Sequence, residues 1–103
     1  MIKESVLDGL PATTDATTSK VVVNNSVLRV VYFAFGANQE LTEHTSPRAV
    51  VMTVLSGQIA FTVSAEAATL DAGDVIYLAP NEPHSVKAIT DSHLQLVMVD
   101  TEA

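Results

Sequence analysis

Thirty of the 103 residues are β-branched (fifteen Val, four Ile and eleven Thr), and they fall in short runs separated by turn residues. The stiff χ1 angles of these side chains suit a pleated sheet better than a helix. No eleven-residue window sustains an apolar stripe at i, i+3, i+4 and i+7, so the pattern argues for an all-β fold. The runs are Val21–Val23, Val27–Phe35, Ala49–Leu55, Ile59–Val63, Ala67–Leu70, Val75–Leu78, His84–Ala88 and Leu94–Val99. Asn24-Asn25-Ser26, Gly36-Ala37-Asn38, Ser56-Gly57-Gln58, Asp71-Ala72-Gly73-Asp74, Pro80-Asn81-Glu82-Pro83 and Asp91-Ser92 supply turn chemistry between them. Eight short strands joined mostly by tight hairpins are predicted, at roughly the 8–12-residue spacing of sandwiches and barrels. Residues 12–19, ATTDATTS, read as an exposed arm or loop after a short first element around Val6–Leu10.

Several runs are apolar on both faces, as in Val-Val-Tyr-Phe-Ala-Phe at 30–35 and Val-Val-Met-Thr-Val-Leu at 50–55. A solvated antiparallel sheet alternates apolar with polar, so these strands are expected to line an interior on one face and pack on a second sheet or subunit on the other. Together with Val6, Leu7 and Leu10, which need somewhere to bury, this predicts a homodimer that covers exposed surface and edge strands.

The length is that of one domain, 1–103, with residues 1–19 as a short N-terminal arm. Hydrophobic residues make up 48% and charged residues 17%, enough apolar surface for a compact core. Five Lys and Arg against twelve Asp and Glu give a net charge of −7, which repels phosphate backbones and anionic lipid surfaces. Neither nucleic acid nor a membrane is an expected partner. With no cysteine there are no disulfides, thiolate metal sites or Cys nucleophiles. Residues 1–20 lack the basic start and apolar block of a secretory signal, and no apolar run approaches the ~20 residues of a membrane helix, so a cytoplasmic location is expected.

The segment from Gly36 through Gly57, GANQELTEHTSPRAVVMTVLSG, and that from Gly73 through His84, GDVIYLAPNEPH, resemble the two motifs of the cupin superfamily. The resemblance covers about the middle half of the chain and implies a double-stranded β-helix, the jelly-roll barrel of RmlC-like cupins. It rests mainly on Gly57, Gly73-Asp74, Pro83-His84 and the Val-Leu-x-Gly sequence at 54–57. The family's metal site has three His and one Glu. Here His44 and His84 fall on ligand positions, Ser46 stands at the second His of His-x-His, and Val50 stands at the Glu. Ala79, Asn81 and Ala88 depart from the Pro, Gly and Asn of the second motif.

The resemblance implies a divalent transition metal, Zn, Ni, Mn, Fe or Cu, held by His44 and His84 and a third donor. Without thiols the ligands would be nitrogen and oxygen. Candidates for the third donor are Glu40, Glu43 and His93. Glu43 neighbours His44 and would point to the opposite face, whereas Glu40 has the parity of His44 in an extended strand. Ser46, Val50 and Met52 share that parity too, and with Arg48 and His93 they are the expected lining of a small-molecule pocket, Arg48 holding a carboxylate at its mouth. Three readings stay open: a metal site that acts on its ligand as an oxygenase or isomerase does, a metal-free ligand-binding or sensing barrel in which the two imidazoles hydrogen-bond the ligand, and a purely structural barrel. Ser85 beside His84 is no catalytic triad, and there is no phosphate-cradling Gly-rich loop. The pair Glu40 and Glu43 reads as a solvated acidic loop rather than glycosidase carboxylates, because no Trp is present to form a sugar platform.

Overall fold

The computed structural model describes residues 1–3, 5, 9–10, 12 and 16–100. Nine strands follow one another: β1 (Thr17–Asn24), β2 (Leu28–Phe35), β3 (Glu40–His44), β4 (Ala49–Ser56), β5 (Gln58–Val63), β6 (Glu66–Asp71), β7 (Val75–Leu78), β8 (His84–Ala88) and β9 (Ser92–Val99). They form a five-stranded sheet in the order β1-β2-β9-β4-β7 and a four-stranded sheet in the order β3-β8-β5-β6, all neighbours antiparallel. The two sheets face each other as a jelly roll. The alternation of side chains along each strand then decides what lies between them. Phe35, Val50, Met52, Val54, Leu78 and Leu94 from the larger sheet meet Ile59, Phe61, Leu70, Val86 and Ala88 from the smaller one in a single core. Each large aliphatic or aromatic side chain buried in this way stabilises the fold by about 1.5–3 kcal/mol.

Only β1–β2 and β5–β6 are consecutive strands paired in one sheet. The expectation of mostly tight hairpins is therefore corrected: six of the eight connections carry the chain from one sheet to the other. The physical cause is the two-sided apolar strands, which need an opposing layer more than an adjacent partner. The bend at Gly57 is such a corner, since β4 and β5 on either side of it belong to different sheets. Among the other turns, the Asn25 side chain accepts the amides of Val27 and Leu28 (2.8 and 3.0 Å), and Asp74 Oδ2 accepts the amide of Asp71 (2.7 Å).

Seven strands match the predicted runs to within two residues at each end, and two depart further, β1 in its start and β3 in its existence. β1 begins at Thr17 rather than Val21, because its Thr and Ser residues pair with the apolar end of β2 (Thr17 opposite Phe35, Thr18 opposite Ala34) and backbone pairing does not require apolar side chains. β3, whose five residues are mostly exposed, has no apolar run to reveal it and is not among the predicted strands. The expected element around Val6–Leu10 falls largely on Val6, Leu7 and Asp8, which lie outside the described residues. Among those described, no helix is long and apolar enough to cross a membrane.

Candidate functional site

His44 ends β3 and His84 begins β8, and the two residues sit directly opposite each other across that strand pair. Regular antiparallel pairing would not achieve this. Leu41 faces Val86, so an unbroken ladder would bring Glu43 opposite His84. A register shift between Leu41 and His44 accommodates one extra residue and delivers His44 instead. Leu41 and His44, three residues apart, thereby come to line the same cavity. The imidazole centroids lie 4.2 Å apart with the ring planes inclined at 62°.

The loops behind the two residues are tied together. The amide of Asn81 donates to the Ser46 carbonyl (2.7 Å), joining the β7–β8 turn to the β3–β4 loop. Ser46 Oγ accepts the amide of Arg48 (3.2 Å), and Glu82 Oε1 accepts the amide of Ala79 (2.7 Å), bracing a turn in which Asn81 has φ 66°. Asparagine tolerates that left-handed conformation better than most residues. The Ser64 amide donates to the carbonyl of Pro83 (2.9 Å), holding the residue just before His84 against the β5–β6 turn.

Each imidazole is oriented by the backbone two residues earlier. His44 Nδ1 lies 2.8 Å from the Thr42 carbonyl and His84 Nδ1 lies 2.9 Å from the Glu82 carbonyl. A carbonyl only accepts, so both rings carry their hydrogen on Nδ1, and in the neutral form each Nε2 keeps a lone pair. His84 is buried and its ring also stacks on Phe61, with centroids 6.1 Å apart and planes 20° from parallel. His44 is exposed at the mouth. The cavity below them is walled by Phe33, Phe35, Leu41, Met52, Leu78 and Leu94, among other apolar side chains, and encloses about 20 Å³. That volume holds about one water or ion and no aromatic ring.

The residues singled out by sequence are only partly brought together. Val50 and Met52 line the cavity with His44 and His84. Glu40 does not: the bulge reverses the parity on which its candidacy rested, and it pairs with exposed Lys87 on the other face of the sheet. Ser46 and Arg48 belong to the loop and do not line the cavity, Ser46 serving instead as the tie between the two turns. His93 faces the opposite side of the larger sheet from Leu94, accepting from Ser56 Oγ at Nδ1 (2.8 Å) and donating from Nε2 to the Leu10 carbonyl (2.6 Å). With both nitrogens engaged and the ring on the wrong face, it is no third donor. Among the described residues, no group of three His, Asp or Glu side chains is placed to hold a metal ion. Sequence reasoning missed Leu41 and Phe61. Leu41 lay hidden behind the bulge, and the contact of Phe61 with His84 spans two strands and leaves no local signal.

A jelly roll with imidazoles from the third and eighth strands converging at one mouth is the architecture of a cupin, and the chain belongs to that family: the cupin domain matches residues 31–100. Among solved structures, it is similar to the conserved SPY1581 protein of unknown function from Streptococcus pyogenes, with 26% identity and a TM-score of 0.90 over 98% of this chain and 89% of that one. A cupin superfamily protein from Desulfitobacterium hafniense shares 13% identity with a TM-score of 0.87, over 91% of this chain and 86% of that one. Salicylate 1,2-dioxygenase from Pseudoaminobacter salicylatoxidans, in a structure with gentisate adducts, shares 23% identity with a TM-score of 0.77, over 89% of this chain but only 27% of the dioxygenase. No curated protein matches the chain in sequence.

Proposed function

We propose that this cupin binds a divalent transition metal through Nε2 of His44 and His84 and takes a small molecule at the barrel mouth. The observation that carries the reading is the pair of Nδ1–H bonds to the Thr42 and Glu82 carbonyls, because metal-bound histidines commonly donate their other ring nitrogen to such a partner. The two rings stand at two of the three nitrogen positions of a cupin metal site. With Val50 and Ser46 at the remaining family positions, water or ligand atoms would complete the coordination. Zn, Ni, Mn, Fe and Cu all accept such nitrogen and oxygen donors. A metal held there would polarise a ligand oxygen. The chain's own residues orient the imidazoles, exclude water from the apolar floor, and leave His44 open to solvent for ligand entry. The salicylate dioxygenase likeness places an oxygenase among the chemistries this fold hosts, and extends no further at that identity.

The missing third donor favours a second reading, in which the two Nε2 atoms accept hydrogen bonds from a polar ligand with no metal present. Calorimetry of the metal-stripped protein with Zn, Ni and Mn salts separates the two. Binding of the metal is expected at about pH 8, where structural metal sites are loaded. His44→Ala and His84→Ala should each weaken it on the order of 100-fold. Absence of binding overturns the metal reading, and binding undiminished in both variants would assign the metal to donors other than these two imidazoles.

We also propose that the chain pairs with a second copy through the outer face of the larger sheet. Cross-strand neighbours Val23, Val30, Val97 and Val51 form an apolar row across four strands on that face, and Val51 is 36% exposed. None of the five strands of this sheet contains an Asp or Glu, although the chain carries twelve. Two molecules of charge −7 meet with least repulsion there. A cytoplasmic location is proposed on the same composition, since no cysteine calls for an oxidising compartment.

A further inference from the structure

Among the described residues, a second space, roomier than the one at the histidines, opens elsewhere in the fold. A groove of about 220 Å³ runs between β6 and β7, against about 20 Å³ enclosed below the imidazoles. β6 ends the four-stranded sheet and β7 ends the five-stranded one, so the groove is the seam where the two layers part. Its floor is apolar, formed by Phe61, Ile76, Leu78 and Ala68, and the polar side chains that line it are Glu66 and Tyr77. Glu66 is exposed, and among the described residues no cation partners it. Tyr77 is 63% exposed.

We propose that this seam binds a small organic cation, an amine carrying one aromatic or short aliphatic group. Three features select that class. The one lining side chain that carries a charge at neutral pH is the Glu66 carboxylate, and the net charge of −7 raises the local concentration of cations while disfavouring anions of the same size. Phe61 and Tyr77 contribute aromatic rings, whose negative π-faces attract an ammonium group. The volume lies below the ~300–1,000 Å³ of pockets that take drug-sized ligands, which restricts the occupant to about one ring. The site is independent of any metal, although its floor is shared: Leu78 lines both spaces, and Phe61 is stacked on His84.

The test is an NMR titration of the metal-stripped protein with 2-phenylethylamine and, as a counterpart of similar size and opposite charge, 3-phenylpropionate. The amine is expected to shift amides of β6 and β7 saturably and to bind at least about fivefold more tightly than the acid, the scale of one partly exposed ion pair. Glu66→Gln should abolish the preference. Ala68→Phe, which fills the groove from an exposed position, should abolish binding, while His44→Ala should leave it intact. Lack of saturable shifts with the amine, equal binding of both probes to the native chain, persistence of binding in Ala68→Phe, or its loss in His44→Ala would each overturn the assignment. None of these outcomes bears on whether His44 and His84 bind a metal.

Discussion

Gly57 carries the chain across the corner between β4 and β5 with φ +81°, a region where a side chain is strained. A Cβ at this position would also collide with the side chain and Cα of Ser92 and with the carbonyl of Asp91. Ser92 cannot move aside, since it is fully buried and its hydroxyl accepts the Gln58 amide (3.1 Å) while donating to the Thr90 carbonyl (2.7 Å). Backbone strain and steric overlap act in the same direction. Gly57→Ala is therefore expected to destabilise the fold by about 3 kcal/mol or more, lowering the melting temperature by more than about 10 °C in a calorimetric scan. Gly73 has φ +94° but open space around it, so Gly73→Ala should cost only the backbone term, about 1–2 kcal/mol. Both glycines stood out in the sequence as turn residues. That only one is sterically locked depends on Ser92, thirty-five residues downstream of Gly57 in the chain.

Position within the sheets sets what each strand contributes. β9 lies between β2 and β4 and places Leu94, 1% exposed, at the centre of the core. β7 lies at an edge and leaves Val75 59% exposed. Leu94→Ala is expected to cost about 2–5 kcal/mol in urea unfolding, through lost transfer energy plus the cavity left behind. Val75→Ala should cost under about 1 kcal/mol. Equal costs for the two would contradict this layering. Strand existence was mostly legible, because runs such as Val27–Phe35 and Ile59–Val63 announce themselves. β3 was not, because its inward side chains are few and Glu40, Thr42 and Glu43 face solvent. The same strand hides the bulge that decides which residues accompany His44, so Glu40 was favoured by a parity that the register shift reverses.

The distribution of charge belongs to the molecule as a whole. All twelve carboxylates lie in the smaller sheet, the turns and the chain ends, and the larger sheet carries none. If the outer face of that sheet is the dimer interface, light scattering at micromolar concentration should give twice the monomer mass of 10.9 kDa. Val51→Lys should then return the monomer while the protein stays folded, since Val51 is already partly exposed and its side chain points away from the core. A monomer in the native protein, or a dimer that survives the substitution, would refute this interface.

Some properties follow from sequence alone because they are local or additive: β-branched runs with turn residues between them make strands, the carboxylate excess sets the charge, and His44, His84, Gly57 and Gly73 can be read off at family spacing. Three others were settled only by the fold. The bulge put His44 opposite His84, backbone carbonyls chose which ring nitrogen stays free, and the parting of two edge strands opened a groove larger than the space beneath the imidazoles. Each depends on how one strand lies against another distant in the chain. Counting along an assumed unbroken strand cannot reveal register, because one inserted residue reverses every side chain beyond it.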